Sequence, residues 1–538
     1  MSLGHRLLPW AEIGVAVIAS LLAVGLSYRF CTEAGPLWRD EVSTVNLAIQ
    51  PRYADVLGAL GLDSAPALYP TVLRLWTMPW GAGDRAFRFF GLIVAVGTVG
   101  MVWATARGLL LTTPLLTLIL FDLHGAVLQT LGSMKPYGFG ALLVILAFGA
   151  IGRLVARPTL QTAAWAAVTA ILAVQTLYHN ALLLLAMCAA AATVRAVARD
   201  WRGAGLSVAT GGAAVLSLLP YGGVILRSRD WRPLNQIETS VGQLLGRVVE
   251  LFADWNGWLV VVWALVWAAG VLAVVVTFRA GGRWTPDQGR IAYASVTVVF
   301  AGLIYLGFLW LVGRSAEPWH LVPLIAIVAL SLDVVVSHTS VFRWSRLVLG
   351  AGAAAVLIPI SVQWVGVRQT NIDVLAKYLE VSSGGRDVIV VNPWYLAITF
   401  NRYYRGTVPW ITVPPIEDVR FHRYDLVKQR MMSPEAVALV HQAMTTALKS
   451  GGRLWLVGGA LFAPTDQPVE ILPPAPGAPS RWRDAPYYRA WSLGVGRFLQ
   501  NHAVRLSRVP ARAGQPVWQA EGAVLLMAEG WQNPGGGR

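Results

Sequence analysis

Charge is scarce in this chain. Only 13% of its 538 residues are Asp, Glu, Lys or Arg, about half the share of an ordinary soluble domain, while 56% are hydrophobic. Such a composition leaves too little polar surface to cover a water-soluble fold. Cysteine is scarcer still. The two present, Cys31 and Cys188, lie far apart, which argues against a disulfide framework or a thiolate metal site. The C-terminal third carries no glycine-rich phosphate fingerprint, so nothing supports nucleotide binding there. Acids are outnumbered by bases, 28 to 43, for a net charge of +15. The bases are dispersed among apolar runs with no nucleic-acid-binding module beside them, which excludes a nucleic-acid partner.

What is present is a series of apolar stretches between Trp10 and about Val365, each of roughly 18 to 22 residues, the length that crosses a hydrocarbon core at about 1.5 Å per residue. About eleven spans are expected, near 10–28, 87–106, 108–121, 137–152, 163–178, 180–198, 204–226, 257–278, 291–312, 319–337 and 345–365. The first is a retained span, not a cleavable signal, because no small-residue cleavage site follows it and Tyr28, Arg29 and Phe30 form an interfacial anchor. The fold class is therefore a polytopic α-helical membrane protein with a soluble α/β domain at its C-terminal end. The expected division is 1–365 for the membrane part, including a first external loop at about 29–86, and 366–538 for the soluble part.

Arginine sets the orientation. With His5 and Arg6 inside, the connections bearing Arg107, Arg153 with Arg157, Arg195 with Arg199 and Arg202, Arg279 with Arg283 and Arg290, and Arg343 with Arg346 are all cytoplasmic. An odd number of spans then puts 366–538 outside, and the positive surplus also favours anionic lipid headgroups. The expected location is a bacterial inner membrane. In the soluble part, 387–392, 453–457 and 523–527 read as buried strands, and a helix capped by Ser433, with Pro434 in its first turn, runs to Lys449 before Gly451 and Gly452.

Long loops on rigid helices are where sites are built, and the first external loop is the longest. It holds Trp38, Arg39, Asp40 and Glu41, then Asp63 to Pro70 (DSAPALYP). Taken alone, Asp40 and Glu41 read equally as a solvated acidic pair at the start of an interfacial helix.

These segments resemble the GT-C superfamily of polyprenyl-phosphate-sugar glycosyltransferases, including its protein mannosyltransferase-like and aminoarabinose-transferase-like members. The family's L-W-x-D-E motif is matched by Leu37, Trp38, Asp40 and Glu41, its H-P-P-L-Y-Y-like segment by Ala65, Pro66, Leu68 and Tyr69, and its R-P-Y-like helix start by Lys135, Pro136 and Tyr137. The chain departs from the pattern around Asp63 to Ala65, where histidine and the first proline are replaced, and at Lys135, where arginine is common. The late R-Y-x-x-P-like motif stands as Trp319, His320, Leu321, Val322 and Pro323.

The resemblance implies transfer of one sugar from a polyprenyl-monophosphate donor to a glycolipid such as lipopolysaccharide, a cell-wall glycan or a protein. Polyprenyl phosphate is a good, already anionic leaving group, so the demanding step is removal of the acceptor's proton, and one carboxylate serves as general base. Asp40 takes that role and Glu41 positions the loop, acceptor or a cation. A single base with no second nucleophilic carboxylate implies inversion. For substrate binding the candidates are Trp38, Asp63, Tyr69, Lys135, Tyr137, His179, Arg227, Arg229 and His320. Lys135, Arg227 and Arg229 read equally as snorkelling residues at helix ends. A divalent cation is a candidate cofactor, with Glu41, Asp122, His124 and His179 as ligand candidates or, equally, as hydrogen-bonded residues at headgroup level. A transporter or flippase for a lipid-linked sugar is the alternative, although no inverted repeat is visible.

Overall fold

The computed structural model describes residues 3–63, 65–109, 113–227, 240–279, 285–312, 317–338, 343–464, 472–475, 483–511 and 513–533. They form two compact units. One comprises 1–33, 64–222 and 237–366, the other 34–63, 223–236 and 367–538, so the first half of the first loop groups with the C-terminal region.

The first unit is helical. Among the described residues, nine helices are long and apolar enough to cross a membrane: Leu8–Glu33, Asp84–Leu109, Pro136–Ala156, Asn180–Val197, Trp201–Leu226, Gly257–Arg279, Pro286–Leu311, Pro318–Ser337 and Trp344–Val365. Two of the expected eleven spans fall short. Leu160–Thr176 is apolar but has 17 residues, the lower limit for crossing. The expected 108–121 span is not one helix. Residues 110–112 lie outside the described set, and beyond Pro114 the chain makes a turn of helix at Leu115–Thr117, a π turn at Leu118–Asp122 and a separate helix at Gly125–Leu131. Asp122 and His124, expected in an external turn, are buried in this broken segment.

Burial separates core from rim. Pro318–Ser337 is buried over 94% of its apolar window, whereas Gly257–Arg279, the most hydrophobic helix, is buried over 28%. The first is thus apolar all round because helices surround it, the second because lipid does. Small residues let the backbones approach closely. A Cβ at Gly91 would stand 2.3 Å from the carbonyl oxygen of Gly132.

One polar knot interrupts this apolar unit. The fully buried Arg346 guanidinium lies 2.8 Å from Asp333 Oδ1 and 3.2 Å from Glu12 Oε1, and the Thr117 amide and hydroxyl both donate to Asp333 Oδ2 at 3.0 Å. Arg346 was expected in a cytoplasmic loop. It is instead one turn inside the helix Arg343–Val365, where its side chain reaches these buried carboxylates.

The second unit contains a five-stranded mixed sheet: β1 (Val388–Val391), β2 (Trp410–Thr412), β3 (Leu454–Val457), β4 (Ala503–Val509) and β5 (Leu525–Trp531), in the order β2-β1-β3-β5-β4. β1 is parallel to β2 and β3, and β5 is antiparallel to β3 and β4. β1 and β3 are buried on both faces, which explains their unbroken apolar sequences. The helix expected from Ser433 begins later, at Ala438, after a run of turns. It ends at Lys449 as expected, with Gly451 at φ 74° closing it.

Candidate active site

In the second unit, Trp38 is extended and starts the helix Arg39–Ala48, with Asp40 and Glu41 in its first turn, where carboxylates complement the helix dipole. The two acids have different surroundings. Glu41 is fully buried and its Oε2 accepts from the Trp38 backbone N–H at 3.2 Å, so it holds the start of the helix. The Asp40 side chain keeps 23% exposure, enough for a substrate to reach it.

Asp40 sits among charged groups. His422 Nε2 lies 3.0 Å from its Oδ1, and Arg39 Nε lies 3.6 Å from the same oxygen. Arg39 also reaches Glu521 Oε1 at 2.8 Å and stacks over the Tyr395 ring at 4.2 Å. Glu521 has no exposed surface, and burial pushes its pKa up to about 7 against the opposing charge of Arg39. The His422 ring stacks on Tyr424 at 5.8 Å and meets Trp394 edge-on at 6.2 Å, which fixes its plane.

The rest of the loop is held with similar specificity. The Leu37 amide donates to the Tyr403 hydroxyl at 2.8 Å, and Trp38 packs edge-on against Trp518 with centroids 5.1 Å apart. Asp63 accepts from the Thr44 hydroxyl at 2.8 Å, tying the end of the loop segment to its helix.

The first unit gathers a second set of candidates. Lys135 precedes the helix Pro136–Ala156, whose first residue is proline, and is nine-tenths buried. Tyr137, His179 and His320 come from three helix starts to one place. The His320 ring is 5.5 Å from Tyr137 and 5.6 Å from His179, and His179 also faces Phe308 at 6.0 Å. The Tyr305 hydroxyl donates to the His320 carbonyl. Tyr69 is buried in an aromatic cluster with Phe90 and Phe139. Arg227 ends the helix Gly222–Arg227, its side chain outside the described set, as is the whole of Arg229.

The metal-ligand candidates do not form a centre. Among the described residues no group of three or more His, Cys, Asp or Glu side chains could hold a metal ion. His124 instead lies near Asp254, whose Oδ2 would be 2.7 Å from a Cβ at Gly125. Cys31 and Cys188 are both free thiols.

Sequence reasoning missed His422, Arg39 and Glu521. Arg39 stood beside the proposed base, and His422 lies in a run of alternating aromatic and charged residues from Phe421 to Asp425. Glu521 carried no local signal.

No protein-family model matches the chain, and no curated protein matches it by sequence. Solved structures do resemble it. The archaeal oligosaccharyltransferase AglB from Archaeoglobus fulgidus, in complex with an inhibitory peptide and a dolichol-phosphate, aligns over 95% of this chain and 75% of its own, with a TM-score of 0.50 and 10% identity. ArnT from Cupriavidus metallidurans aligns over 83% of this chain and 92% of its own at 14% identity, with TM-scores of 0.49 in the apo state and 0.46 bound to undecaprenyl phosphate. At such identities the likeness is one of fold alone: the protein is a multi-pass membrane protein whose fold resembles that of AglB.

Proposed function

We propose that this protein is an inverting glycosyltransferase that moves one sugar from a polyprenyl monophosphate to a glycan, glycolipid or protein acceptor at the outer face of a bacterial inner membrane. The observation that carries the reading is the Asp40 carboxylate, partly exposed on the first turn of a rigid helix and oriented by His422 and Arg39. The fold supports a lipid-phosphate donor, since AglB shares it and was solved with a dolichol-phosphate.

The chemistry balances with one base. Asp40 takes the proton of an acceptor hydroxyl as that oxygen bonds to the anomeric carbon, and the bond from that carbon to the phosphate oxygen breaks, releasing polyprenyl phosphate. In the helical unit, Lys135 supplies positive charge for the phosphate, and Tyr137, His179 and His320 line the donor's path. Buried Lys135 is suited to this because a cation acts more strongly away from bulk water. Purified protein in detergent, given a labelled polyprenyl-phosphate sugar and an envelope extract as acceptor, should form the new glycosidic bond. Movement of the lipid-linked sugar that requires a sealed membrane, with no bond transfer, would establish a flippase instead.

His422 acts through Asp40. Its ring edge, 3.0 Å from the carboxylate, holds Asp40 in the rotamer that faces the acceptor. His422→Ala should lower kcat by about a hundredfold, the scale of a misplaced catalytic group, with KM for the donor little changed. Partial recovery in His422→Gln would show that the lost element is the polar contact with Asp40.

Glu521 makes the rate depend on pH near neutrality. Below about pH 7 it is neutral and Arg39 is shared chiefly with Asp40, which weakens the base. Above that pH, ionised Glu521 holds Arg39, which leaves the Asp40 carboxylate to the acceptor's proton. Transfer should therefore rise as pH increases through about 7, and Glu521→Gln should flatten that limb of the pH–rate profile. The stability effect has the opposite slope. The folded-state pKa lies above the ordinary 4.5, so the folded protein binds more protons between these values, and the stabilisation present below 4.5 is lost as pH rises to about 7.

A further inference from the structure

The second unit contains an open cleft of about 890 Å³, within the range of roughly 300–1,000 Å³ typical of ligand sites. One wall comes from the segment after the Asp40 helix, with Gln50 and with Asp55 and Gly58 on the short helix Tyr53–Gly58. The other is the strip that contributes Asp418, Arg420 and Arg423. His422, in the middle of that strip, is the residue whose Nε2 lies 3.0 Å from Asp40. The Asn46 side chain donates to the Arg420 carbonyl at 2.9 Å and ties the strip to the Asp40 helix. The cleft and the base therefore share a wall.

The charges of the cleft are matched by neighbouring ones. Asp418 pairs with Arg420 at 2.9 Å and with Arg423 at 3.0 Å, Arg423 pairs with Asp425 at 2.8 Å, and Asp55 pairs with Arg52 at 2.9 Å. A phosphate-rich or uronate-rich ligand needs a surplus of cations, which this balance denies it. A peptide needs a deep apolar pocket for an anchoring side chain, whereas this open cleft intersperses Pro51, Ala54, Leu62 and Phe421 with charged and amide groups. Guanidinium and carboxylate groups held side by side present fixed donors and acceptors, the pattern that adjacent sugar hydroxyls satisfy.

We propose that this cleft seats the acceptor and that the acceptor is a neutral oligosaccharide, longer than a single sugar ring, whose end reaches Asp40 past His422. The inference rests on Asp40 being the transferase base, but its test reads binding and not turnover. Full-length protein in lipid nanodiscs is applied to an array of neutral oligosaccharides, uronate- or phosphate-bearing oligosaccharides and peptides. Wild type and Asp40→Asn should both retain neutral glycans. Gly58→Trp should weaken that binding about tenfold or more, because a Cβ at Gly58 meets nothing within 4 Å and the indole can fill the cleft without moving the backbone. Ala54→Trp, on the same wall, provides a second blocking variant. Preference for acidic glycans or for peptides, or undiminished binding by both tryptophan variants, overturns the assignment. An Asp40→Asn protein that binds glycans yet transfers normally removes the base and leaves the cleft, whereas normal transfer with no glycan binding removes the cleft and leaves the base.

Discussion

Asp40→Asn is expected to lower transfer by about 10²- to 10⁴-fold, the range that general-base catalysis contributes, while the protein folds and binds donor as before. Asparagine has the shape of aspartate and keeps the close approach to His422 Nε2, so the rotamer and the adjoining helix turn are preserved. What it lacks is a basic oxygen to receive the acceptor's proton. The leaving phosphate is already anionic and needs no acid, so nothing else in the proposed step compensates for that loss. The measurement is single-turnover transfer from a labelled polyprenyl-phosphate sugar, with donor affinity determined separately. A reduced rate with unchanged donor affinity places Asp40 in the chemical step. Wild-type rates from folded Asp40→Asn remove it, and the inverting mechanism with it.

The contrast with Glu41 sharpens this expectation. The family resemblance gives Asp40 the role of base and leaves Glu41 to position the loop, the acceptor or a cation. The structure separates them by one helical position: Glu41 turns inward and caps the backbone at Trp38, while Asp40 turns toward His422 and solvent. Loss of Glu41 is therefore expected to act through folding of the helix start, and loss of Asp40, as the proposed base, through chemistry.

The motif around Asp40 was legible because it is local. Trp38, Asp40 and Glu41 fall within one turn of helix, directly beyond a recognisable span. The surroundings of Asp40 were not legible, because His422 and Glu521 come from the far end of the chain and their approach depends on the fold of the second unit. The same distinction runs through the sheet. β1, β3 and the start of β5 are continuous apolar runs and declare themselves, whereas β2 has three residues and β4 carries Arg505 and Arg508 along an edge of the sheet, where charge discourages further pairing. The broken segment after Pro114 misleads for a different reason. Its residues are apolar enough for a span, but hydropathy does not register the π turn that interrupts it. Tyr137, His179 and His320 were each singled out at a different helix start, and their assembly required the helix packing that a single sequence does not display.

Arg346 is where the reading of a charge as a topology signal misses its structural role. Arg346→Leu should destabilise the helical unit by about 3–5 kcal/mol, the cost of breaking a buried ion pair by removing one partner. The leucine itself fits a helix facing other helices. The penalty arises because Glu12 and Asp333 remain, two buried carboxylates with their common cation removed, and the Thr117 donors neutralise neither charge. Replacing the acids as well, in Glu12→Gln with Asp333→Asn and Arg346→Leu, should recover much of the loss, since the uncompensated charge is then gone. Denaturation in mixed micelles, followed by helical signal, reads both variants. If the single variant matches wild type, the three side chains do not constitute a buried ionic knot. If the triple variant is no better than the single one, the loss comes from packing around the guanidinium and not from the stranded carboxylates.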